Sequence, residues 1–179
     1  MTLPLIVLLA LGIAALTGTS DDSGGNPNGA LPPINVAAPP HANAKTCGPL
    51  LAELPLQLGN LSPRVVHTNP PSAYVEAWGD PAVVLSCGVD RPKDLNRTST
   101  AQFIVAGPRS GPYYDVTSTD EGNVWTTVDR GPYISITVPT DYQGSDVVPP
   151  LSRAIAKALP AVCSTDPAAP ENRRCTRRP

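Results

Sequence analysis

One stretch constrains the fold of this chain more than any other, because it joins two candidate strands through a tight turn. It occupies residues 77–89 and reads AWGDPAVVLSCGV. At its centre, residues 79–81 are a glycine that permits positive φ, an aspartate that bonds local backbone, and a proline that fixes φ. Residues 73–78 alternate in side-chain character, and residues 83–89 are rich in β-branched side chains. The stretch therefore predicts a β-hairpin or a sharply turned pair of strands, with Cys87 in the second strand.

Shorter strand candidates follow the hairpin at intervals of about ten residues, with Gly-, Pro- or Asn-containing turns between them. They are residues 102–105, 113–117, 124–128 and 133–138. In the last of these, Ile134, Ile136 and Val138 share one face and polar side chains occupy the other. This spacing predicts an antiparallel meander.

Apolar residues at helical spacing predict one helix before the sheet and one after it. The first pattern comprises Cys47, Leu50, Leu51, Leu54 and Leu58, with Thr46 or Cys47 near the cap. The second comprises Leu151, Ala154, Ile155, Ala158, Leu159 and Val162, with Ser145 or Asp146 as cap and Pro149 and Pro150 in the first turn. The predicted fold is α+β: a mostly antiparallel sheet of about five or six strands, flanked by a short N-terminal helix and a C-terminal helix, and disulfide-stapled.

Four cysteines, an even number at wide spacing, indicate disulfides. They are Cys47, Cys87, Cys163 and Cys175. No Cys-x-x-Cys is present, so neither a zinc knuckle nor a redox dithiol is indicated. Four cysteines allow three pairings. The pairing we predict joins the first helix to the second hairpin strand through Cys47–Cys87 and closes a short C-terminal loop through Cys163–Cys175.

The remaining organisation follows from composition. Residues 3–16 form an uncharged apolar run, so residues 1–20 are predicted as a signal peptide or membrane anchor. Residues 21–44 are rich in Gly, Asn and Pro without periodicity, which predicts a disordered tether. Residues 45–163 would form the α+β domain and residues 164–179 a basic tail. We expect an exported protein, secreted or at the outer face of the membrane.

Charge and side-chain inventory argue against several functions. A formal net charge of −2 and an aromatic content of 4% give no electrostatic or stacking basis for nucleic-acid binding. Neither a metal site nor a cofactor is predicted. A histidine-based triad would need His67, since His41 falls in the predicted tether, and no nucleophile elbow is present. No catalytic residue is assigned; as an alternative, strand-end carboxylates could serve an envelope hydrolase or transferase. The candidate pairs are Glu76 with Asp80 and Asp115 with Asp129.

Two tryptophans are the residues best suited to anchor a partner, which would be an envelope protein or a wall component. Large aromatics dominate interfaces when exposed, but in a small domain Trp78 and Trp125 are more often core. Asp80 is expected to cap its turn, with Arg91 or Arg130 as its ion-pair partner. These five residues are the weak candidates for partner binding.

The block Ala77–Pro81, followed by Cys87–Pro92, resembles the signature of an actinobacterial exported-protein family, the domain of unknown function 3515 family. Weaker matches are Cys47 with Leu54-Pro55 upstream and Val138-Pro139 before the last helix. The resemblance covers roughly residues 45–159. It implies a secreted or membrane-tethered envelope protein and brings no catalytic residues. The leading hypothesis is a non-enzymatic binding or accessory module.

Overall fold

The computed structural model describes residues 30–96, 99–104 and 111–162. Its two helices are α1 (Ala44–Leu51) and α2 (Gly144–Ala158). Its strands are β1 (Ile34–Ala37), β2 (Pro63–Arg64), β3 (Val66–Asn69), β4 (Val75–Trp78), β5 (Val83–Cys87), β6 (Gln102–Phe103), β7 (Tyr113–Thr119), β8 (Gly122–Thr127) and β9 (Ile134–Pro139). Among these residues no helix is long and apolar enough to cross a membrane.

The predicted α+β fold is confirmed. Seven strands form one antiparallel sheet in the order β2-β4-β5-β9-β8-β7-β6, in which both edge strands have only two residues. The predicted hairpin is its β4–β5 pair, with Trp78 opposite Val83. Gly79 takes φ +80° in the turn, and the Asp80–Pro81 peptide is cis. The alternation in residues 133–138 also holds, because Ile134, Ile136 and Val138 are all buried.

Both helices contribute to one core against a single face of the sheet. Across the central strands, Leu85 lies opposite Ile136 and Cys87 opposite Ile134, so these four side chains share that face. Residues of α1 and α2 join the same buried cluster. A fully buried disulfide, Cys47–Cys87, then bonds α1 to the central strand β5. This half of the predicted pairing is confirmed, whereas Cys163 and Cys175 lie outside the described residues.

The helix caps differ from the prediction. α1 begins three residues earlier than its apolar pattern suggested, because the side chain of Asn43 accepts a hydrogen bond from Thr46 N at 3.1 Å. At α2 the N-cap is Gln143, which makes no side-chain capping bond. Pro149 and Pro150 consequently lie in the second turn of α2 rather than in its first.

The predicted tether needs correction for residues 30–44. This segment contains β1, which pairs in parallel with β3 from Ile34–Val66 to Ala37–Asn69. Composition did not reveal this strand because its partner is distant in sequence and supplies the backbone hydrogen bonds that a Pro-rich segment cannot make locally. The residues before Ala30 lie outside the described residues.

The incoming segment then crosses the hairpin at Gly88. His41 N donates to Gly88 O at 2.8 Å, and Gly88 itself has φ +88°. A Cβ built on Gly88 would overlap the backbone of Ala42. Glycine is therefore required here both by its backbone conformation and by the close approach of the 41–42 backbone.

We expect Gly88→Ala to lower the free energy of unfolding by about 1–3 kcal/mol, because it adds backbone strain and displaces residues 41–42. Urea denaturation would measure the loss. Gly48→Ala is the matched control, since nothing lies within 4 Å of a Cβ at this helical glycine. That variant should gain about 0.5–1 kcal/mol. Equal stability of Gly88→Ala and the wild type would contradict the packing described here.

Candidate functional site

A surface depression with a volume of about 290 Å³ lies beside the N-terminus of α2. Its first wall is the loop of residues 58–61, closed on itself by backbone hydrogen bonds of 3.0 Å in both directions between Leu58 and Leu61. Its second wall is residues 141–143 together with Asp146 and Val147 in the first turns of α2.

The depression has an apolar floor and a polar rim. Leu58 and Val147 are buried, Leu61 and Tyr142 are half-buried, and the remaining lining residues are mainly exposed. The exposed polar residues are Asn60, Asp141, Gln143 and Asp146. The arrangement offers hydrogen-bond acceptors and two carboxylates around a hydrophobic base, which suits binding rather than covalent chemistry.

The hairpin turn supports this depression from behind. A Cβ on Gly79 would lie 2.9 Å from Tyr142 Oη and 3.2 Å from a methyl carbon of Leu61. Gly79 N also donates to Ser62 O at 2.9 Å. The glycine at the centre of the distinctive sequence block therefore lets both walls of the depression approach the turn.

The ion-pair partner predicted for Asp80 was wrong. Arg64 on β2 donates to Asp80 Oδ1 at 2.8 Å and to Gly79 O at 3.1 Å. Its Nε donates to Pro32 O at 2.7 Å, so one largely buried guanidinium ties the turn to the incoming N-terminal segment. Sequence reasoning missed Arg64 because nothing in the residues around it indicates a strand.

Trp78 and Trp125 are not brought together at an exposed surface. Trp78 is 2% exposed and its Nε1 donates to Pro55 O at 3.2 Å, so it belongs to the core. Trp125 is half-buried and meets Tyr114 edge-to-face, with ring centroids 5.9 Å apart. A Cβ on Gly144 would lie 3.0 Å from the Trp125 ring, which places this indole against the start of α2.

Arg130 forms a buried ion pair with its neighbour Asp129. Arg130 donates to Asp129 Oδ2 at 2.8 Å, and Tyr113 N donates to Asp129 Oδ1 at 3.0 Å. Burial raises the pKa of Asp129, and the positive charge of Arg130 opposes that rise. The side chains of both residues are almost completely inaccessible to solvent.

A second buried polar contact lies close to that pair. The Tyr114 hydroxyl and the Ser152 hydroxyl are 2.8 Å apart, linking β7 to α2 inside the core. Burial raises the pKa of Tyr114 well above its ordinary value. The phenol therefore stays protonated and can serve as a hydrogen-bond donor.

The four carboxylates proposed for the hydrolase alternative differ in burial, in sheet face and in bonding partners. Burial raises the pKa of Glu76, which lies opposite Leu85 on the helix-covered face, while Asp80 is paired with Arg64. Asp115 lies opposite Thr126 on the other face of the sheet, and both Asp129 oxygens have partners. In the described ranges, no group of three or more His, Cys, Asp or Glu residues could hold a metal ion.

The remaining candidates, Arg91 and His67, do not line the depression. Arg91 is half-buried in the loop after β5. His67 is exposed on β3, where it lies opposite Asn35 of β1. The depression residues were not singled out from the sequence, because loop residues separated by about 80 positions share no local pattern. Their link to the distinctive block of residues 77–89 is Gly79, which lies next to Tyr142 and Leu61.

Comparisons with known proteins give a family and no further relative. Neither a curated protein nor a solved structure matches the chain. A family model with the description "Protein of unknown function (DUF3515)" matches residues 1–163. This match includes all the described residues and the Trp78–Cys87 block that carried the resemblance. The chain therefore belongs to the DUF3515 family.

Proposed function

We propose that this protein is an exported, envelope-associated protein of the actinobacterial type, with a non-enzymatic binding or accessory role. Two features support export. The Cys47–Cys87 disulfide is fully buried at the centre of the fold, and disulfides persist in oxidising compartments outside the cytosol. The apolar run of residues 3–16 has the length of a signal-peptide core. Its alternative role would be that of a membrane anchor.

The observation that carries the binding role is the depression between residues 58–61 and 141–147. Ligand sites are typically concave, with an apolar base and a few polar groups that fix orientation. This depression has both, and the Gly79 turn forms its support. The partner would be an envelope protein or a wall component.

Export is tested in cells that carry a C-terminally tagged full chain. We expect surface proteolysis to degrade the protein in intact cells, and alkylation of the denatured protein to leave Cys47 and Cys87 unmodified unless a reductant is added first. A protein that stays protected inside the cell, with both thiols alkylated after denaturation without a reductant, would refute export.

The binding role is tested by filling the depression. Asn60→Arg with Gln143→Arg adds two long side chains at exposed positions of its rim. Gln102→Arg with Thr117→Arg is the matched control, because these positions are also neutral and exposed but lie on β6 and β7. Immobilised protein should retain an envelope component as wild type and as the control, and lose it in the filled variant. Equal retention by all three would argue against the depression.

A further inference from the structure

We propose that the depression takes a basic peptide, with a lysine or arginine side chain lying over its apolar floor and its charged head at the Asp141 and Asp146 carboxylates. This inference rests on the proposed function and names the class of partner for that site.

The first argument is charge. Of the nine residues that line the depression, Asp141 and Asp146 carry charge and none is basic. Neither aspartate forms an ion pair within the described chain, and Asp146 Oδ1 accepts only a neutral hydrogen bond from Ser145 Oγ at 3.2 Å. The N-terminus of α2 carries a partial positive charge of about half a unit, which two carboxylates outweigh. The site therefore favours a cation over a phosphate or another anion.

The second argument is shape and polarity together. A lysine or arginine side chain has an aliphatic stem and a charged end, and such side chains lay the stem along apolar surface while the head remains in a polar setting. Leu58 and Val147 at the floor and Leu61 on the wall match the stem. Tyr142 adds an aromatic ring to the lining.

The third argument is an apolar neighbour outside the depression. Leu56 is 89% exposed, two residues before Leu58 in the same loop. A single exposed apolar residue is ordinary on a protein surface, so Leu56 is informative only through its position, two residues before the first wall of the depression. A peptide would cover Leu56 with an adjacent residue, whereas a free amine could reach only the depression. A peptide is therefore the occupant that uses both features.

The test is a titration of the ¹⁵N-labelled full chain, followed by NMR through the amide signals of residues 30–162. The probe is acetyl-Leu-Lys-Leu-amide, with acetyl-Leu-Gln-Leu-amide as its neutral counterpart and butylamine as a free amine. We expect the lysine peptide to shift the amide signals of Asn60, Gln143 and Asp146 in a saturable manner. The glutamine peptide lacks the positive charge, and butylamine lacks the apolar residues that would cover Leu56. Each should therefore bind at least about fivefold more weakly than the lysine peptide.

The matched variants isolate the carboxylates. Asp141→Asn with Asp146→Asn should weaken binding of the lysine peptide by roughly tenfold, since two exposed ion pairs are lost. Asp120→Asn with Glu121→Gln removes two carboxylates from the exposed β7–β8 turn and should change affinity less than about twofold. Thermal unfolding of each variant verifies that it is folded.

The outcomes separate this inference from the proposed function. Equal affinity for the lysine and glutamine peptides, or an unchanged affinity in Asp141→Asn/Asp146→Asn, would overturn the basic-peptide inference. Equal affinity for butylamine would overturn the assignment to a peptide. If the peptide fails while the filled variant still loses its envelope component, only the ligand class is wrong. If envelope retention also survives filling, the binding role of the depression is wrong too.

Discussion

Replacing both bridged cysteines, Cys47→Ala with Cys87→Ala, should lower the free energy of unfolding by about 4 kcal/mol. The crosslink spans 40 residues, and closing a loop of this length removes that much conformational entropy from the unfolded chain. The remaining contacts must then hold α1, an eight-residue helix too short to be stable alone. Urea denaturation of oxidised wild type and the variant would measure the difference.

The control is Cys163→Ala with Cys175→Ala in its oxidised and reduced forms, because reduction there breaks only the Cys47–Cys87 bond and keeps both of its sulfur atoms in the core. The reduced control should lose nearly as much stability as the Cys47→Ala/Cys87→Ala variant. A loss below about 1 kcal/mol in both samples would show that α1 docks without the crosslink. Peptide mapping under non-reducing conditions gives an independent answer, since a peptide joining Cys47 to Cys163 or Cys175 would contradict the pairing.

Arg130→Met should lower the free energy of unfolding by about 3–5 kcal/mol at neutral pH. The side chains of Arg130 and Asp129 are 1% and 5% exposed, so the substitution leaves a buried carboxylate without its counter-charge. Asp129→Asn combined with Arg130→Met removes that charge and should recover a large part of the loss. Chemical denaturation of the single and double variants would measure both effects.

Acidification gives the Arg130→Met experiment a signature that lost packing would not produce. A carboxyl whose pKa is higher in the folded than in the unfolded state binds protons preferentially when folded, so lowering the pH favours folding. Burial already raises the pKa of Asp129 above 3.8, and removing Arg130 raises it further. The deficit of Arg130→Met should therefore shrink as the pH falls from 7 toward 4. A deficit that stays constant over this range would attribute the loss to packing.

The hairpin, the meander and the second helix could be predicted because each is encoded locally. Alternation in residues 133–138 and apolar spacing in residues 151–159 directly reflect which side faces the core, whereas Val162, the last residue of the predicted pattern, lies beyond α2 and is exposed. The Cys47–Cys87 pair could also be predicted, since Cys47 lies in a recognisable helix and Cys87 ends a recognisable strand. The burial of Trp78 and Trp125 could not be predicted in this way, because no local sequence pattern distinguishes a tryptophan in a core from one at an interface.

The sequence by itself determined the α+β class, the central hairpin, the disulfide to α1 and the family. Only the tertiary structure decided the rest: the strand Ile34–Ala37, the partner of Asp80, the buried Asp129–Arg130 pair and the depression. Each of these depends on contacts between residues far apart in the chain, where no local propensity distinguishes one partner from another. The Trp78–Cys87 stretch combines a local and a long-range feature. Its own residues specify its turn, whereas the depression that the turn supports is formed by two loops that are distant in sequence.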